Sequence, residues 1–124
     1  MSKNIVCKTP RWQLLKAALN NLNAVAFQQK IKSSDVLVID VRTAEEFQIS
    51  SIPSAVCVDY LGEGFWDKIE QLDKSKDILI YCRSGRRSIR VCTLMKNGGF
   101  DPSKLFNLSG GILEWIEEGL ELQV

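Results

Sequence analysis

Cys82 has the setting that most clearly predicts chemistry. It follows the apolar run Ile78–Tyr81, which is typical of a buried strand, and precedes a short basic loop that leads into a helical pattern. At such a turn, backbone N–H groups and the helix N-terminus stabilise a thiolate. Because the thiolate is the nucleophilic form of cysteine, we predict that Cys82 is catalytic.

The residues after Cys82 supply the predicted binding groups. Their positive charge favours the thiolate and attracts anionic substrates, and the glycine is expected to adopt a backbone conformation that other residues resist. The alternative is a small apolar cysteine that simply ends a buried strand, but this does not account for the basic residues. The segment 82–88, called here the Cys82 loop, continues after the cysteine with Arg83, Ser84, Gly85, Arg86, Arg87 and Ser88.

The length of this loop bears on its ligand. Tyrosine phosphatases and their relatives also hold an anion in a Cys-to-Arg loop, but theirs is one residue longer. Here four residues separate Cys82 from Arg87. A shorter loop forms a smaller nest of N–H groups, which suits a terminal sulfur atom better than a tetrahedral phosphate. A Cys-dependent phosphatase or arsenate reductase is therefore the weaker alternative.

Composition excludes several other mechanisms. The chain contains no histidine, which rules out Cys-His hydrolases, Ser-His-Asp triads and His-based zinc sites. Its four cysteines, Cys7, Cys57, Cys82 and Cys92, lack metal-ligand spacing, and we expect reduced thiols, no metal and no cofactor. Apolar neighbours predict that Cys57 and Cys92 belong to the core.

Charge and hydropathy limit the partners. The net charge is +1 over 124 residues, and acidic residues alternate with basic ones outside the Cys82 loop. We therefore expect no nucleic-acid-binding or membrane-binding face. No apolar signal segment follows the N-terminus, and no stretch approaches the roughly 20 apolar residues of a membrane span. These features predict a single cytoplasmic domain.

Apolar runs that alternate with helical patterns predict an α/β fold with a mostly parallel central sheet and helices on both faces. A leading helix is expected to start near Thr9-Pro10, and apolar residues at helical spacing continue as far as Leu22. Thr43 to Glu46 form a capping box, which predicts the start of another helix. Reactive groups collect beyond the carboxyl ends of parallel strands. The predicted strands are Val36–Ile39, Ala55–Val58, Ile78–Tyr81 and Leu105–Leu108.

Asp40 and Arg42 follow the strand Val36–Ile39, and Asp40 lies at the same sheet edge as Cys82. They are candidates for direct contact with substrate. We instead expect an ion pair or turn hydrogen bonds that brace the neighbouring loop.

Three motifs resemble those of the rhodanese domain family and occur in that family's order. They are Leu37–Phe47, Tyr81–Ser88 and Asn107–Trp115. One departure is Ser50-Ser51, where the family usually has Gly-His. The resemblance implies a three-layer rhodanese-like domain over residues 21–124. Residues 1–20 are then an N-terminal extension, expected to form a helix packed on the domain.

The resemblance further implies a sulfurtransferase. Cys82 takes a sulfane sulfur from a small anionic donor, thiosulfate or a persulfide, and passes it to a thiol or cyanide acceptor. Arg87 is expected to hold the oxyanion end of the donor, with Arg83 or Arg86 assisting at the rim. A protein donor or acceptor is also compatible with this chemistry, and a non-catalytic sulfur-relay or binding module is the remaining alternative.

Overall fold

A five-stranded parallel sheet forms the centre of the molecule, in a computed structural model that describes residues 9–124. The strand order is β1-β5-β4-β2-β3, and every neighbouring pair is parallel. The predicted α/β architecture is thereby confirmed. Cys7, one of the four cysteines, lies outside the described residues. The strands are β1 Asn20–Leu22, β2 Val36–Asp40, β3 Val56–Cys57, β4 Asp77–Tyr81 and β5 Leu105–Leu108.

Helices cover both faces of this sheet. The side chains of the central strand β4 alternate between two cores: Ile78 and Ile80 enter one, and Leu79 and Tyr81 enter the other. This alternation explains why β4 is apolar at successive positions, because both of its faces are buried. The helices are α1 Arg11–Ala17, α2 Ala24–Ser33, α3 Ala44–Ile49, α4 Phe65–Glu70, α5 Arg86–Asn97 and α6 Gly111–Glu117, with a 3₁₀ turn at Pro102–Lys104.

The two cores separate the helices. Ile69 of α4 and Met95 of α5 pack on one face of the sheet, and α1 lies on the same side against α5. Phe27 of α2 and Trp115 of α6 pack on the other face. The carboxyl ends of β4 and β2 therefore open between the two helical layers, where Cys82 follows β4 directly.

Two helix starts follow the sequence signals, and one helix end does not. Thr43 caps α3 with the predicted capping box, and Asn23 accepts the N–H of Ala26 at the start of α2. The leading helix was expected to reach Leu22, but α1 ends at Ala17, and Asn20–Leu22 form the edge strand β1 paired with β5. Hydrogen bonding to a strand far along the chain outweighs the local helical spacing there.

Candidate active site

The Cys82 loop directs backbone donors at the cysteine sulfur. The N–H of Gly85 lies 3.1 Å from Cys82 Sγ and that of Ser88 lies 3.4 Å away. The Ser88 hydroxyl is 3.5 Å from the same sulfur and donates to the Gly85 carbonyl at 3.1 Å. The Cys82 side chain is only 1% exposed. Donors fixed in this way stabilise negative charge on sulfur without a side-chain base.

Gly85 makes the tight loop feasible. Its φ of +100° lies in the left-handed region, and a Cβ at this position would collide with the Ser109 carbonyl. It immediately precedes α5, so the turn brings the first N–H groups of that helix around Cys82. The sequence prediction that Gly85 supplies an unusual backbone conformation agrees with this geometry.

The start of α6 braces the other side of the loop. The N–H of Ile112 donates to the Cys82 carbonyl at 2.9 Å, and that of Leu113 donates to the Arg83 carbonyl at 3.1 Å. Gly111, with a φ of +66°, permits this approach because a Cβ there would strike the Arg83 carbonyl. Two elements distant in sequence therefore fix the loop.

Arg87 forms a bidentate ion pair with Glu46. Its two terminal nitrogens lie 2.8 and 3.1 Å from the two carboxylate oxygens. The hydrogen bonds from Arg87 lower the pKa of Glu46 to about 2, although partial burial opposes this. The same hydrogen bonds raise the pKa of Arg87. The guanidinium assigned from sequence to the donor's oxyanion is thus directed at a carboxylate on α3.

Glu46 also belongs to the capping box of α3. Its Oε1 accepts the Thr43 N–H at 2.9 Å and lies 3.1 Å from the Thr43 hydroxyl. One carboxylate therefore joins the start of α3 to the first turn of α5. Sequence reasoning recognised the capping function of Glu46 but missed its contact with Arg87. The available signal was that α3 and α5 each begin beyond the carboxyl end of neighbouring strands, β2 and β4.

Asp40 and Arg42 form the ion pair that the sequence predicts. Arg42 donates Nε and Nη2 to the Asp40 carboxylate at 2.7 to 3.1 Å, and its backbone N–H donates to Oδ1 at 2.8 Å. Both residues are buried. Arg42 Nη2 also donates to the Ser50 carbonyl at 2.6 Å. The pair thus fixes the turn at Ser50-Ser51, where this chain departs from the usual family motif.

The remaining arginines of the Cys82 loop point outward. Arg83 and Arg86 are exposed, as is Ser84. Arg86 stacks over the Trp12 ring of α1, with its guanidinium carbon 4.2 Å from the ring centroid. Cation–π contact leaves the N–H edge of a guanidinium available to an anion. These residues therefore form a rim rather than part of the sulfur-binding cradle.

The other described cysteines differ from Cys82. Cys92 is buried on α5, and burial raises the pKa of its thiol to about 12. Cys57 was expected in the core, but it is only half-buried because β3 is an edge strand of two residues. Burial also raises the pKa of the Cys57 thiol. Neither of these two sulfurs accepts backbone N–H groups as Cys82 does.

Comparison with known proteins assigns the family. The profile of the rhodanese-like domain matches residues 23–118. The chain belongs to this family. A sulfurtransferase from Allochromatium vinosum is 30% identical over 105 residues, covering 84% of this chain and 94% of the relative. Putative sulfurtransferase YtwF from Bacillus subtilis is 37% identical over 101 residues, covering 81% and 93%.

A solved structure agrees with this assignment. The rhodanese-related protein from Thermoplasma volcanium superimposes with a TM-score of 0.73 at 26% identity, covering 84% of this chain and 97% of its own. The rhodanese fold expected from the three motifs is therefore confirmed. Together with the names of the relatives, family membership supports a role in sulfur transfer.

Two concavities flank the Cys82 loop of this rhodanese-like domain. The smaller one, of about 220 Å³, is lined by Arg83, Glu46 and Leu113 among others. The larger lies between α1 and α5 and includes Arg86 and Arg87. The Arg87–Glu46 pair separates them, since each partner lines a different one.

Of the helices formed by residues 9–124, none is long and apolar enough to cross a membrane.

Proposed function

We propose that the protein is a sulfurtransferase that carries sulfane sulfur as a persulfide on Cys82. The observation that carries this proposal is the convergence of the Gly85 and Ser88 N–H groups on the sulfur of Cys82. A cradle of backbone dipoles suits an anionic sulfur chain, because it neutralises charge without offering a proton to the terminal atom.

In the first step, the Cys82 thiolate attacks the outer sulfur of thiosulfate. A Cys82–sulfur bond forms, the sulfur–sulfur bond of thiosulfate breaks, and the electron pair leaves with sulfite. The two negative charges of thiosulfate and the charge of the thiolate reappear on sulfite and on the persulfide. A low-molecular-weight persulfide serves as donor in the same way, with a thiolate as the leaving group.

In the second step, a nucleophilic acceptor attacks the terminal sulfur of the persulfide. With cyanide, the product is thiocyanate; with a thiolate, it is a new persulfide. The bond between that sulfur and Cys82 breaks, and its electron pair regenerates the Cys82 thiolate. The cycle needs no external oxidant or reductant, which agrees with a site built from one thiol and backbone groups.

Donor binding uses the rim of the loop in this scheme. Arg87 gives two of its five N–H donors to Glu46, and the others remain available to a donor oxygen. Arg83 and Arg86 are exposed and attract small anions toward the loop. We therefore propose that Arg87 orients the donor while Arg83 and Arg86 raise its local concentration.

Thiosulfate and cyanide test this function. The wild-type protein is expected to form thiocyanate, and intact-mass analysis after thiosulfate alone is expected to show one added sulfur atom on Cys82. Cys82→Ser should lose both signals, whereas Cys57→Ser should keep both because that sulfur lacks the backbone donors. Full activity in Cys82→Ser would refute the proposal.

Separate exposure to a cysteine persulfide donor distinguishes an enzyme from a relay module. The buried position of Cys82, 1% exposed, favours transfer through small or narrow groups. Loading by the persulfide without turnover of thiosulfate would favour the relay function. Loading by both donors, with release to cyanide, supports the sulfurtransferase described above.

A further inference from the structure

A basic groove of about 720 Å³ lies between α1 and α5, next to the Cys82 loop. Its lining includes Arg11, Arg86, Arg87 and Arg90, with Leu15 and Ile89 among its apolar residues. One wall is α1, which precedes the residues matched by the family profile, 23–118. The groove is therefore built partly by residues that precede the profile match.

Most of the positive charge in this groove is not neutralised within the described chain. Of its four arginines, only Arg87 has a carboxylate within 4.0 Å in the range 9–124. The first eight residues of the sequence contain no aspartate or glutamate that could serve the others. Positive charges that line one groove repel one another, and an anionic ligand relieves this repulsion.

The aromatic residues of the groove argue against a nucleotide or nucleic acid as that ligand. Single-stranded nucleic acids bind through bases stacked on free aromatic faces. The Arg86 guanidinium covers one face of the Trp12 ring, 4.2 Å from its centroid, and the Tyr60 ring packs edge-to-face against Phe65 at 5.4 Å.

The shape of the groove suits a peptide. It follows α5 from Arg86 to Asn97, a distance of about 16 Å at 1.5 Å per helical residue. An extended chain of about five residues covers that length. The apolar residues Leu15, Ile89 and Leu94 line the groove together with the basic ones. Such a lining matches a segment in which acidic and apolar side chains alternate.

We infer that this groove docks an acidic segment of the protein that exchanges sulfur with Cys82. The inference rests on the proposed sulfurtransferase function and names the partner class of that site. Because Cys82 is 1% exposed, a folded partner cannot place its own thiol on the sulfur directly. A flexible segment held beside the loop brings that thiol within reach.

The transfer balances without a co-reactant. The cysteine thiolate of the partner attacks the terminal sulfur of the Cys82 persulfide, and a sulfur–sulfur bond forms on the partner. The bond between Cys82 and the transferred sulfur breaks, and its electron pair returns to Cys82 as a thiolate. Delivery of sulfur from a partner persulfide is the reverse of this step.

Two model peptides test the docking. One alternates glutamate with leucine over six residues and ends in cysteine; the other has lysine in place of glutamate. Fluorescence anisotropy measures the binding of each labelled peptide to wild-type protein and to Cys82→Ser, which separates docking from chemistry. Mass spectrometry then follows sulfur transfer from the loaded protein to each peptide thiol. The acidic peptide is expected to bind more tightly and to react with the lower KM.

Charge reversal locates the binding. Arg11→Glu and Arg90→Glu are each expected to lower the affinity for the acidic peptide by about five-fold or more. Each substitution removes an attractive charge pair and adds a repulsive one. This loss of affinity should be smaller in 1 M salt, where the Debye length is about 3 Å. Lys32→Glu makes the same charge change on α2, across the sheet, and should leave the affinity unchanged.

The outcomes separate the two proposals. Absence of thiocyanate formation by the wild type, both with thiosulfate and with a persulfide donor, refutes the sulfurtransferase function, whereas anisotropy still reports on the groove. Normal thiocyanate formation with equal binding of the two peptides overturns the docking site alone. An equal loss of affinity in Lys32→Glu and Arg11→Glu also overturns the docking site, because the net charge of the protein would then explain both losses. Preferential binding of a single-stranded oligonucleotide through Arg11 and Arg90 would reassign the groove to nucleic acid.

Discussion

Glu46→Gln removes the charge that holds Arg87 while keeping the size of the side chain. The pKa of Glu46 is about 2 in the folded protein, compared with 4.5 for an ordinary glutamate. At about 1.4 kcal/mol per pH unit, this difference corresponds to roughly 3 kcal/mol of folding stability at neutral pH. The side chain is 28% exposed, and solvent reduces the effect, so the expected loss is about 1 to 3 kcal/mol.

Urea unfolding measured at a series of pH values tests this estimate. Because folding lowers the pKa of Glu46, its contribution is fully present above about pH 4.5 and declines as the pH falls toward 2. Wild type should therefore exceed Glu46→Gln in stability at pH 7, and the two curves should converge near pH 2. Glu45→Gln is the matched control, since Glu45 lies in the same first turn of α3 but is exposed.

The comparison with Glu45 decides the interpretation. Both variants lose a negative charge near the N-terminus of α3, which is worth about 0.3 to 1 kcal/mol. Only Glu46→Gln also loses the bidentate contact with Arg87. Equal losses in the two variants, or a difference from wild type that persists unchanged to pH 2, would refute the assignment of the lowered pKa to the Arg87 pair.

Two further substitutions test the supports of the site, each against a matched control. Gly85→Ala combines a φ of +100° with a backbone collision, so we expect it to lose about 2 to 4 kcal/mol of folding stability, together with thiocyanate formation. Its control is Gly64→Ala, where φ is +71° and the space around the added Cβ is open; this variant should lose about 1 kcal/mol of folding stability. Asp40→Asn leaves Arg42 buried without its counter-charge and should cost about 3 to 5 kcal/mol in thermal or urea unfolding, whereas Asp35→Asn affects an ion pair whose carboxylate is 83% exposed and should cost at most about 1 kcal/mol. A Gly85→Ala variant as stable as Gly64→Ala, or equal losses for the two aspartates, would contradict these assignments.

Local sequence signals predicted most of the sheet. Leu105–Leu108 was predicted with the bounds that β5 has, and Ile78–Tyr81 lies within β4. The run Ile78–Tyr81 is apolar on both faces because the sheet is covered on both sides, so this signal does not depend on contacts elsewhere in the chain. β1 was not predicted, since Asn20–Leu22 has no strand pattern of its own. It exists because β5 offers it hydrogen bonds.

The features of the active site divide in the same way into those that the sequence predicts and those that it does not. The position of Cys82 between a strand and a helix, the need for Gly85 and the Asp40–Arg42 pair are all local features that spacing reveals. The contact of Arg87 with Glu46 spans 41 residues, and no periodicity reports on it. The groove beside α5 was likewise invisible, because it depends on where α1 packs. Contacts that join separate elements require the folded chain.

The support that α6 gives to the Cys82 loop also has a consequence for biosynthesis. Ile112 and Leu113 hold the carbonyls of Cys82 and Arg83, and both residues are added after β4 and α5 during synthesis. A nascent chain that has already formed β4 and α5 still lacks this bracing on its cysteine. The thiol therefore reaches its final environment only after α6 has been added, and a chain truncated before Gly110 would present the nucleophile on a loop without these two hydrogen bonds.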